Sequence, residues 1–367
     1  MPSLRILTSG SGPGGHDGEV FCCAFTHDNQ YVLSGGWDGH LRLSESNSGT
    51  PAAAFRASHK PIAACVCSPD GKHLVSGCLE GFLSFWDSGS HRPASKVLAH
   101  ARPISAIAYA PDGKLLATAS WDRSLALWDP NGDRDRQSLN GHSDIVAGCR
   151  FTPDGHSLLS WSHDGTVGLW QVAPVQRLAW FRGHSDRVNA VAISPDGARM
   201  ASASRDQSLK LWDLQTHQEL ASYSLTAEAK GCCFLLDGES LVAIDARGRV
   251  TLHSLPELEL QSDLATRLPV QCAELSSSGN RIAVGCGNGQ VHLIAIDGFD
   301  SAPLLVSATQ TSKRTATRLQ RFFGRDRLTH AYHCTCPVCR QAIELSDNHI
   351  ERPLPCPGCQ RQLRVAK

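Results

Sequence analysis

The sequence has no excess of charge of either sign and no long apolar stretch. Its 367 residues contain 35 Lys+Arg and 35 Asp+Glu, so the formal net charge is zero. That balance argues against a uniformly basic nucleic-acid binder and against an acidic disordered chain. The longest apolar runs are a few residues, far short of the roughly 20 that a transmembrane helix needs. The start, MPSLRILTSGSGPGG, lacks an apolar core of signal-peptide length, so secretion is not expected.

Motifs of common enzyme classes are also missing. There is no Walker A motif and no HExxH. Gly10, Gly12 and Gly15 have the spacing of a dinucleotide-binding fingerprint, but they follow no βαβ pattern and open no helix, so we interpret them as loop glycines. The 15 cysteines are odd in number and spread along the chain, which is typical of reduced thiols. We therefore expect a cytoplasmic protein.

A repeat of about 42 residues organises the first 300. Its clearest markers are four evenly spaced tryptophans: Trp86, Trp128, Trp170 and Trp212. The same pattern without tryptophan occurs once before them and twice after them, which gives seven units. Each unit contains short apolar or alternating runs separated by turns such as Pro195-Asp196-Gly197, a pattern that predicts a four-stranded antiparallel sheet. A single sheet of this size cannot bury both faces, so the units must stack.

The residues that frame each unit carry a family resemblance. A histidine opens each of the first five units, and the spacing of Gly183-His184 to Trp212-Asp213 resembles the WD-repeat β-propeller family. The resemblance implies an all-β fold, a seven-bladed β-propeller with a central channel in residues 1–300. It also implies that an N-terminal strand completes the last blade. Leu4–Leu7 fits that role and we favour it; the alternative for the same position in the blade is Leu304–Val306, which follows the seventh unit.

The resemblance further implies a structural network of His, Ser or Thr, Asp and Trp between strands. The residues in blades three, four and five are His100, Thr118, Asp122 and Trp128; His142, Ser160, Asp164 and Trp170; and His184, Ser202, Asp206 and Trp212. Blade two would use His59, Ser76, Glu80 and Trp86, blade one lacks the tryptophan, and blades six and seven lack the set. A serine, histidine and aspartate also form hydrolase triads, but recurrence at fixed spacing favours a structural role. We therefore expect no catalytic residues and no enzymatic activity.

The family's narrow top face takes three positions from each blade, and here these differ around the ring. Blades one to four present mainly aromatic or apolar residues and blade five presents arginines: Phe21, Trp37, Leu79, Trp121, Ile145, His163, Arg187 and Arg205. This arrangement suits a protein or peptide partner with an apolar anchor and an acidic flank. The alternative is that the tryptophans cover neighbouring blades.

The C-terminal region differs from the rest in charge. Residues 301–367 contain 11 Lys+Arg and 4 Asp+Glu, a balance of +7 against −7 for the first 300 residues. Leu319, Phe322 and Phe323 lie at helical spacing among basic residues, which predicts a basic amphipathic helix or an ordered linker within residues 301–332. The cations are Lys313, Arg314, Arg318, Arg321, Arg325 and Arg327. They would dock on the acidic propeller or contact an anionic partner such as RNA or an acidic protein surface, with a membrane surface as a further alternative.

Four cysteines near the C-terminus have the spacing of a metal site. Cys336 and Cys339, and then Cys356 and Cys359, form two pairs separated by 16 residues. Each two-residue spacing makes a knuckle, and two knuckles complete the tetrahedron that Zn²⁺ prefers. Residues 333–367 resemble a zinc ribbon with rubredoxin-like knuckles, with strands at 342–345 and 363–365. We expect one structural zinc ion, with iron or a redox dithiol as alternatives.

Together these patterns indicate a non-catalytic scaffold that binds partner proteins within a multi-subunit complex. The alternative is a nucleic-acid-associated adaptor whose basic linker and zinc ribbon contact phosphate.

Overall fold

The computed structural model describes residues 3–7, 15–130 and 137–297, together with the backbone of six C-terminal strands between residues 304 and 366. Every regular element in these parts of the chain is a strand. In chain order the strands before residue 298 are β1 (Ser3–Ile6), β2 (Val20–Phe25), β3 (Tyr31–Gly36), β4 (His40–Glu45), β5 (Pro51–Arg56), β6 (Ile62–Cys67), β7 (His73–Cys78), β8 (Phe82–Asp87), β9 (Pro93–Leu98), β10 (Ile104–Tyr109), β11 (Leu116–Ser120), β12 (Ser124–Trp128), β13 (Gln137–Asn140), β14 (Val146–Phe151), β15 (Ser157–Ser162), β16 (Thr166–Val172), β17 (Val175–Arg182), β18 (Val188–Ile193), β19 (Arg199–Ser204), β20 (Ser208–Asp213), β21 (Glu219–Ser224), β22 (Ala229–Phe234), β23 (Ser240–Asp245), β24 (Arg249–Ser254), β25 (Glu259–Ala265), β26 (Val270–Leu275), β27 (Arg281–Cys286) and β28 (Val291–Asp297).

These strands form seven four-stranded antiparallel sheets, as the repeat predicts. Six sheets consist of four consecutive strands, beginning with β2-β3-β4-β5 as blade one. The seventh has the order β1-β28-β27-β26, so the N-terminal strand completes the last blade. Leu4 lies opposite Ile296 and Ile6 opposite Ile294 in this pairing. The expectation for residues 4–7 is thereby confirmed.

The Pro-Asp-Gly sequences form the predicted tight turns between the first two strands of a blade. Gly71 has a φ of 71° and Gly197 a φ of 75°, a conformation that glycine adopts without a steric penalty. The Asp70 carboxylate accepts hydrogen bonds from the Ser68 hydroxyl at 2.6 Å and from the Lys72 N–H at 3.1 Å. The side chain thus stabilises the turn that the backbone makes.

The apolar core lies between neighbouring blades. Between blades one and two, for example, Leu41 and Leu43 pack with Ile62, Leu74 and Trp86. Both faces of a middle strand are covered, and β19 therefore has five successive buried residues after Arg199. This stacking explains why no unit could fold alone.

The C-terminal strands form two small sheets. They are β29 (Leu304–Ser307), β30 (Thr309–Thr315), β31 (Arg327–Thr335), β32 (Ala342–Leu345), β33 (Leu354–Pro355) and β34 (Gln362–Ala366). Strands β32 and β34 cover the two segments that the sequence predicts as strands. Strand β29 pairs in parallel with β34, so the alternative closing strand at 304–306 is not used by the propeller.

Part of the predicted basic helix is strand. Lys313 and Arg314 belong to β30 and Arg327 belongs to β31, and these two strands pair with each other. Arg318, Arg321 and Arg325 lie outside the described residues. Strand β31 also runs through residue 333, where the sequence places the start of the ribbon.

Candidate functional site

Blades three, four and five each bring together one histidine, one hydroxyl, one aspartate and one tryptophan. In each blade, histidine Nδ1 lies 2.9–3.0 Å from the aspartate carboxylate and Nε2 lies 2.7–2.8 Å from the hydroxyl oxygen. The tryptophan Nε1–H donates to that same hydroxyl at 2.8 Å. The twelve residues involved are His100, Thr118, Asp122, Trp128, His142, Ser160, Asp164, Trp170, His184, Ser202, Asp206 and Trp212. The hydroxyl, which would be the nucleophile in a hydrolase, is hydrogen-bonded here to both the histidine and the tryptophan.

Blade five shows how hydrogen bonding fixes the protonation state. The Trp212 N–H donates to Ser202, so the Ser202 hydroxyl donates to His184 Nε2 and His184 Nδ1–H donates to Asp206. Burial lowers the pKa of His184, against the opposing effect of Asp206, so the imidazole is neutral. Burial alone would raise the pKa of Asp206, but hydrogen bonds led by the Ser208 hydroxyl lower it to about 2. Every member is satisfied, which is the condition for burying such groups at low cost.

Blade one forms the polar part of this network without a tryptophan. His16 Nδ1 lies 2.9 Å from Asp38, and Nε2 lies 2.9 Å from Ser34. The signal was present in the sequence, because the spacings of 18 and 22 residues equal those from His100 to Thr118 and Asp122. The histidine, hydroxyl and aspartate therefore assemble without the tryptophan.

In blade two the assignment of His59 and Glu80 to the network is wrong. Both side chains are exposed. Ser58 takes the position that histidine takes in blade three, because its N–H bonds to Gly39 O as the His100 N–H bonds to Gly81 O. His59 is thus displaced by one residue along the chain. Trp86 and Ser76 still pair, with Nε1 donating to the hydroxyl at 3.0 Å.

Blade six replaces the network with other groups. The Asp245 carboxylate, which is 1% exposed, accepts from the Thr226 hydroxyl at 3.0 Å and from the Arg247 and Arg249 N–H groups at 2.9 Å each. His253 takes the tryptophan position and its Nε2 lies 2.9 Å from the Thr251 hydroxyl. The sequence pattern missed this set because Asp245 is not at the usual aspartate position.

Two large aromatic side chains are exposed on the predicted partner-binding face. Trp37 is 58% exposed and Trp121 is 41% exposed. Each follows the second strand of its blade directly. The backbone N–H of Trp37 donates to Glu19 O, and the backbone N–H of Trp121 donates to Pro103 O. The Phe21 ring is half-buried, with its centroid 6.1 Å from that of Trp37. The tryptophans are therefore not buried between blades.

The remaining predicted residues of this face are less exposed or carry mixed charge. Leu79, Ile145 and His163 are half-buried, whereas Arg187 and Arg205 are exposed. Burial lowers the pKa of His163, and the positive charges of Arg187 and Arg205 act in the same direction. The Arg205 side chain also lies 3.8 Å from the Asp186 carboxylate. The basic region of this face is thus partly neutralised.

An ion pair crosses the central channel. Arg150 of blade four donates from one Nη to both carboxylate oxygens of Glu274 in blade seven, at 3.1 and 2.9 Å. Both residues line two channel cavities of about 560 Å³ and about 210 Å³. Blades four and seven are not neighbours, so the pair connects opposite sides of the ring. No motif or spacing in the sequence predicts a contact between residues so far apart.

The predicted zinc ligands Cys336, Cys339, Cys356 and Cys359 lie outside the described residues. Within the described part of the chain, no group of three or more His, Cys, Asp or Glu side chains is arranged to hold a metal ion. The ten cysteines before residue 298 are all free thiols. Among the described residues there is also no helix with the length and apolarity needed to span a membrane.

Comparison with known proteins identifies the repeats. The family described as WD domain, G-beta repeat matches residues 4–43, 49–87, 92–129, 134–171 and 175–213. These five matches cover more than half of the chain and include the first two strands and most or all of the third strand of each of blades one to five. A search of curated proteins found no match.

Proposed function

The chain belongs to the WD domain, G-beta repeat family, and we propose that it is a non-catalytic scaffold that binds a partner protein through the top face of the propeller. Propellers of this family generally serve as protein-interaction scaffolds and are typically non-catalytic. The partner segment would place an apolar side chain against Phe21, Trp37 and Trp121 and an acidic one near Arg187. We further propose that it works in the cytoplasm, within a multi-subunit complex.

The exposure of Trp37 and Trp121 carries this proposal. A tryptophan side chain contributes a large apolar area, and binding recovers the free energy that its exposure to water costs. Both tryptophans occupy the same position in their blades, directly after the second strand. Buried aromatic residues are frequent energetic centres of protein interfaces. The saturated His-Ser-Asp networks, by contrast, offer no free nucleophile.

The test compares affinity purifications of the full chain from its own cells. We expect Trp37→Ala with Trp121→Ala to remove the partner recovered with the wild-type chain. If each tryptophan contributes about 2 kcal/mol, affinity falls roughly 30-fold per substitution. The matched control is Leu98→Ala with Leu178→Ala, which removes exposed apolar side chains (59% and 44% exposed) from the outer strands β9 and β17. Equal recovery of the partner by both double variants would contradict the proposal.

We propose that Cys336, Cys339, Cys356 and Cys359 hold one structural zinc ion. Four thiolates leave no open coordination position, so the ion would stabilise the C-terminal region without catalysing a reaction. Elemental analysis of the purified chain is expected to give one zinc per chain. Cys336→Ser or Cys359→Ser should lower that ratio, whereas Cys334→Ser, outside the two-residue spacing, should leave it unchanged. A metal-free wild-type chain would refute the site.

The charge of residues 301–367, at +7, favours a second candidate function, contact with nucleic acid. Phosphate binding depends on counterion release and weakens steeply with salt, whereas apolar binding at the tryptophans does not. A chain lacking residues 301–367 should lose any nucleic-acid binding and keep the partner of the top face.

A further inference from the structure

Blade one carries two adjacent thiols on its innermost strand, Cys22 and Cys23 of β2. Successive side chains of a strand point to opposite faces, so each thiol faces a different neighbouring blade. Cys22 packs against the apolar cluster between blades one and two that contains Cys65. The Cys23 Sγ lies 3.7 Å from the Sγ of Cys272 in β26 of blade seven. The Cys23–Cys272 pair therefore bridges the junction between the first blade and the last.

A glycine gives the Cys23–Cys272 pair its space. Gly285 lies directly opposite Cys272 in the pairing of β26 with β27. A Cβ atom at Gly285 would lie 2.6 Å from the Cys272 Sγ and 3.1 Å from the Cys23 Sγ, so no other residue fits without displacing the sulfurs. The equivalent positions in blades four and five hold Trp161 and Ala203. Blades one and two have glycine at this position, Gly35 and Gly77, as blade seven does, so the gap is not unique to the Cys23–Cys272 pair.

Small molecules can reach this pair. Cys23 and Cys272 are both half-buried and free, and both line the larger channel cavity of about 560 Å³. The hydrogen bond with Cys272 and burial raise the pKa of the Cys23 thiol, so Cys23 is protonated at neutral pH and a weak nucleophile in that form. Access from the channel and proximity of the sulfurs are the geometric requirements for oxidation of the pair, and the attacking sulfur must first lose its proton.

The junction that the pair bridges is the closure of the ring. Blade seven is completed by the four-residue strand β1, and no other strand of the described chain joins blade seven to sequence that precedes blade one. Cys23 and Cys272 are separated by 249 residues. A covalent bond between them would close a loop that includes nearly the whole propeller, and closing long loops constrains the unfolded chain most.

We propose that Cys23 and Cys272 form a reversible disulfide that locks the closure of the ring when the protein meets a hydroperoxide. One cysteine loses its proton and attacks an oxygen of hydrogen peroxide as the thiolate; the O–O bond breaks, and the departing hydroxide takes the proton, giving a sulfenic acid and one water. The other thiol attacks the sulfenic sulfur, forming the S–S bond and releasing the second water. Two thiols and one peroxide thus become one disulfide and two waters. A dithiol reverses the reaction by thiol–disulfide exchange.

The test oxidises the full-length native chain with hydrogen peroxide, blocks remaining thiols with iodoacetamide and analyses a non-reduced tryptic digest by mass spectrometry. Tryptic peptide 6–42 contains Cys22 and Cys23, and peptide 268–281 contains Cys272 alone. We expect these two peptides to be linked, and the link to disappear after treatment with dithiothreitol. Full alkylation of Cys272, or a link from peptide 6–42 to the peptide containing Cys65, would overturn the proposal.

Variants assign the link to one of the two adjacent thiols. Cys22→Ser should keep the link to peptide 268–281, and Cys23→Ser should abolish it. Oxidation should raise the Tm of the wild-type chain by several degrees and leave the Tm of Cys272→Ser unchanged. Cys233 is another thiol of the channel wall, and the control variant Cys233→Ser should behave as the wild-type chain does. An equal rise in Cys272→Ser would refute the lock. If Cys23→Ser does not fold, the cross-linked peptide of the native chain still decides the outcome.

Discussion

The hydroxyl at the centre of each network offers a direct test of what the buried histidine contributes. Ser202→Ala in blade five removes the partner of two groups, the Trp212 indole N–H at 2.8 Å and His184 Nε2 at 2.7 Å. Ser76→Ala in blade two is the same substitution at the same position of the repeat. It removes the partner of Trp86 Nε1, at 3.0 Å, where no histidine enters the network.

The expected magnitudes follow from the number of partners lost. Ser202 is 0% exposed and Ser76 is 2% exposed, so water does not replace the hydroxyl in either variant. A buried polar group without its partner costs about 1–3 kcal/mol. We expect Ser76→Ala to cost about 1–2 kcal/mol and Ser202→Ala about 2–4 kcal/mol. A domain of about 300 residues unfolds with an entropy of about 0.6 kcal/mol per kelvin, so Tm should fall by about 2–3 °C and about 3–7 °C respectively.

Differential scanning calorimetry of the two variants beside the wild-type chain measures both shifts. Ser202→Ala should have the lower Tm by about 2 °C or more. Equal shifts would show that the histidine adds nothing to the network. We assign the histidine position of blade two to Ser58 instead of His59. A larger Tm shift for Ser76→Ala than for Ser202→Ala would refute that assignment.

Three further outcomes are expected. The folded state lowers the pKa of His184 from 6.5 and that of Asp206 from 3.8 to about 2, so the unfolded chain binds more protons on acidification. The Tm should therefore fall below about pH 6.5 and more steeply below about pH 4. A Tm that rises on acidification would contradict this. Deleting residues 1–7 removes β1 and leaves β28 as an edge strand, so limited proteolysis should cut blade seven first, whereas uniform resistance would argue against closure by β1. Glu274→Gln should lower the Tm by only about 1–2 °C, because both side chains of the pair with Arg150 are about a third or more exposed to water. About 1 M salt should remove the difference from the wild-type chain, which calorimetry at two salt concentrations measures.

The repeating features of this molecule could be predicted from the sequence because they are local. A spacing of 42 residues and a Pro-Asp-Gly turn such as that at Gly197 depend on residues within one blade. The same is true of the network in blade five, whose His184 and Asp206 are 22 residues apart. The prediction for His59 is wrong because it rests on residue type alone. The backbone hydrogen bonds place Ser58 at the position that histidine takes in the other networks.

Contacts around and across the ring could not be predicted in this way. Arg150 meets Glu274 only because the curvature of seven stacked sheets brings blade four opposite blade seven. Cys23 meets Cys272 only because the ring closes between the first and the last blade. Cys22 and Cys65 hold the equivalent positions at the junction of blades one and two, but only the closure of the ring brings Cys272 beside Cys23. Such contacts depend on the number of blades and on how the ring closes, which the pattern of a single repeat does not contain.

Blade seven shows why these long-range contacts matter. It lacks the His-Ser-Asp-Trp network that connects strands within blades three to five, and one of its four strands comes from the other end of the chain. Its inner strand β26 instead supplies Glu274 to the bridge across the channel and Cys272 to the contact with blade one. The blade that lacks the network therefore contributes one side chain to a contact across the channel and another to the contact that closes the ring.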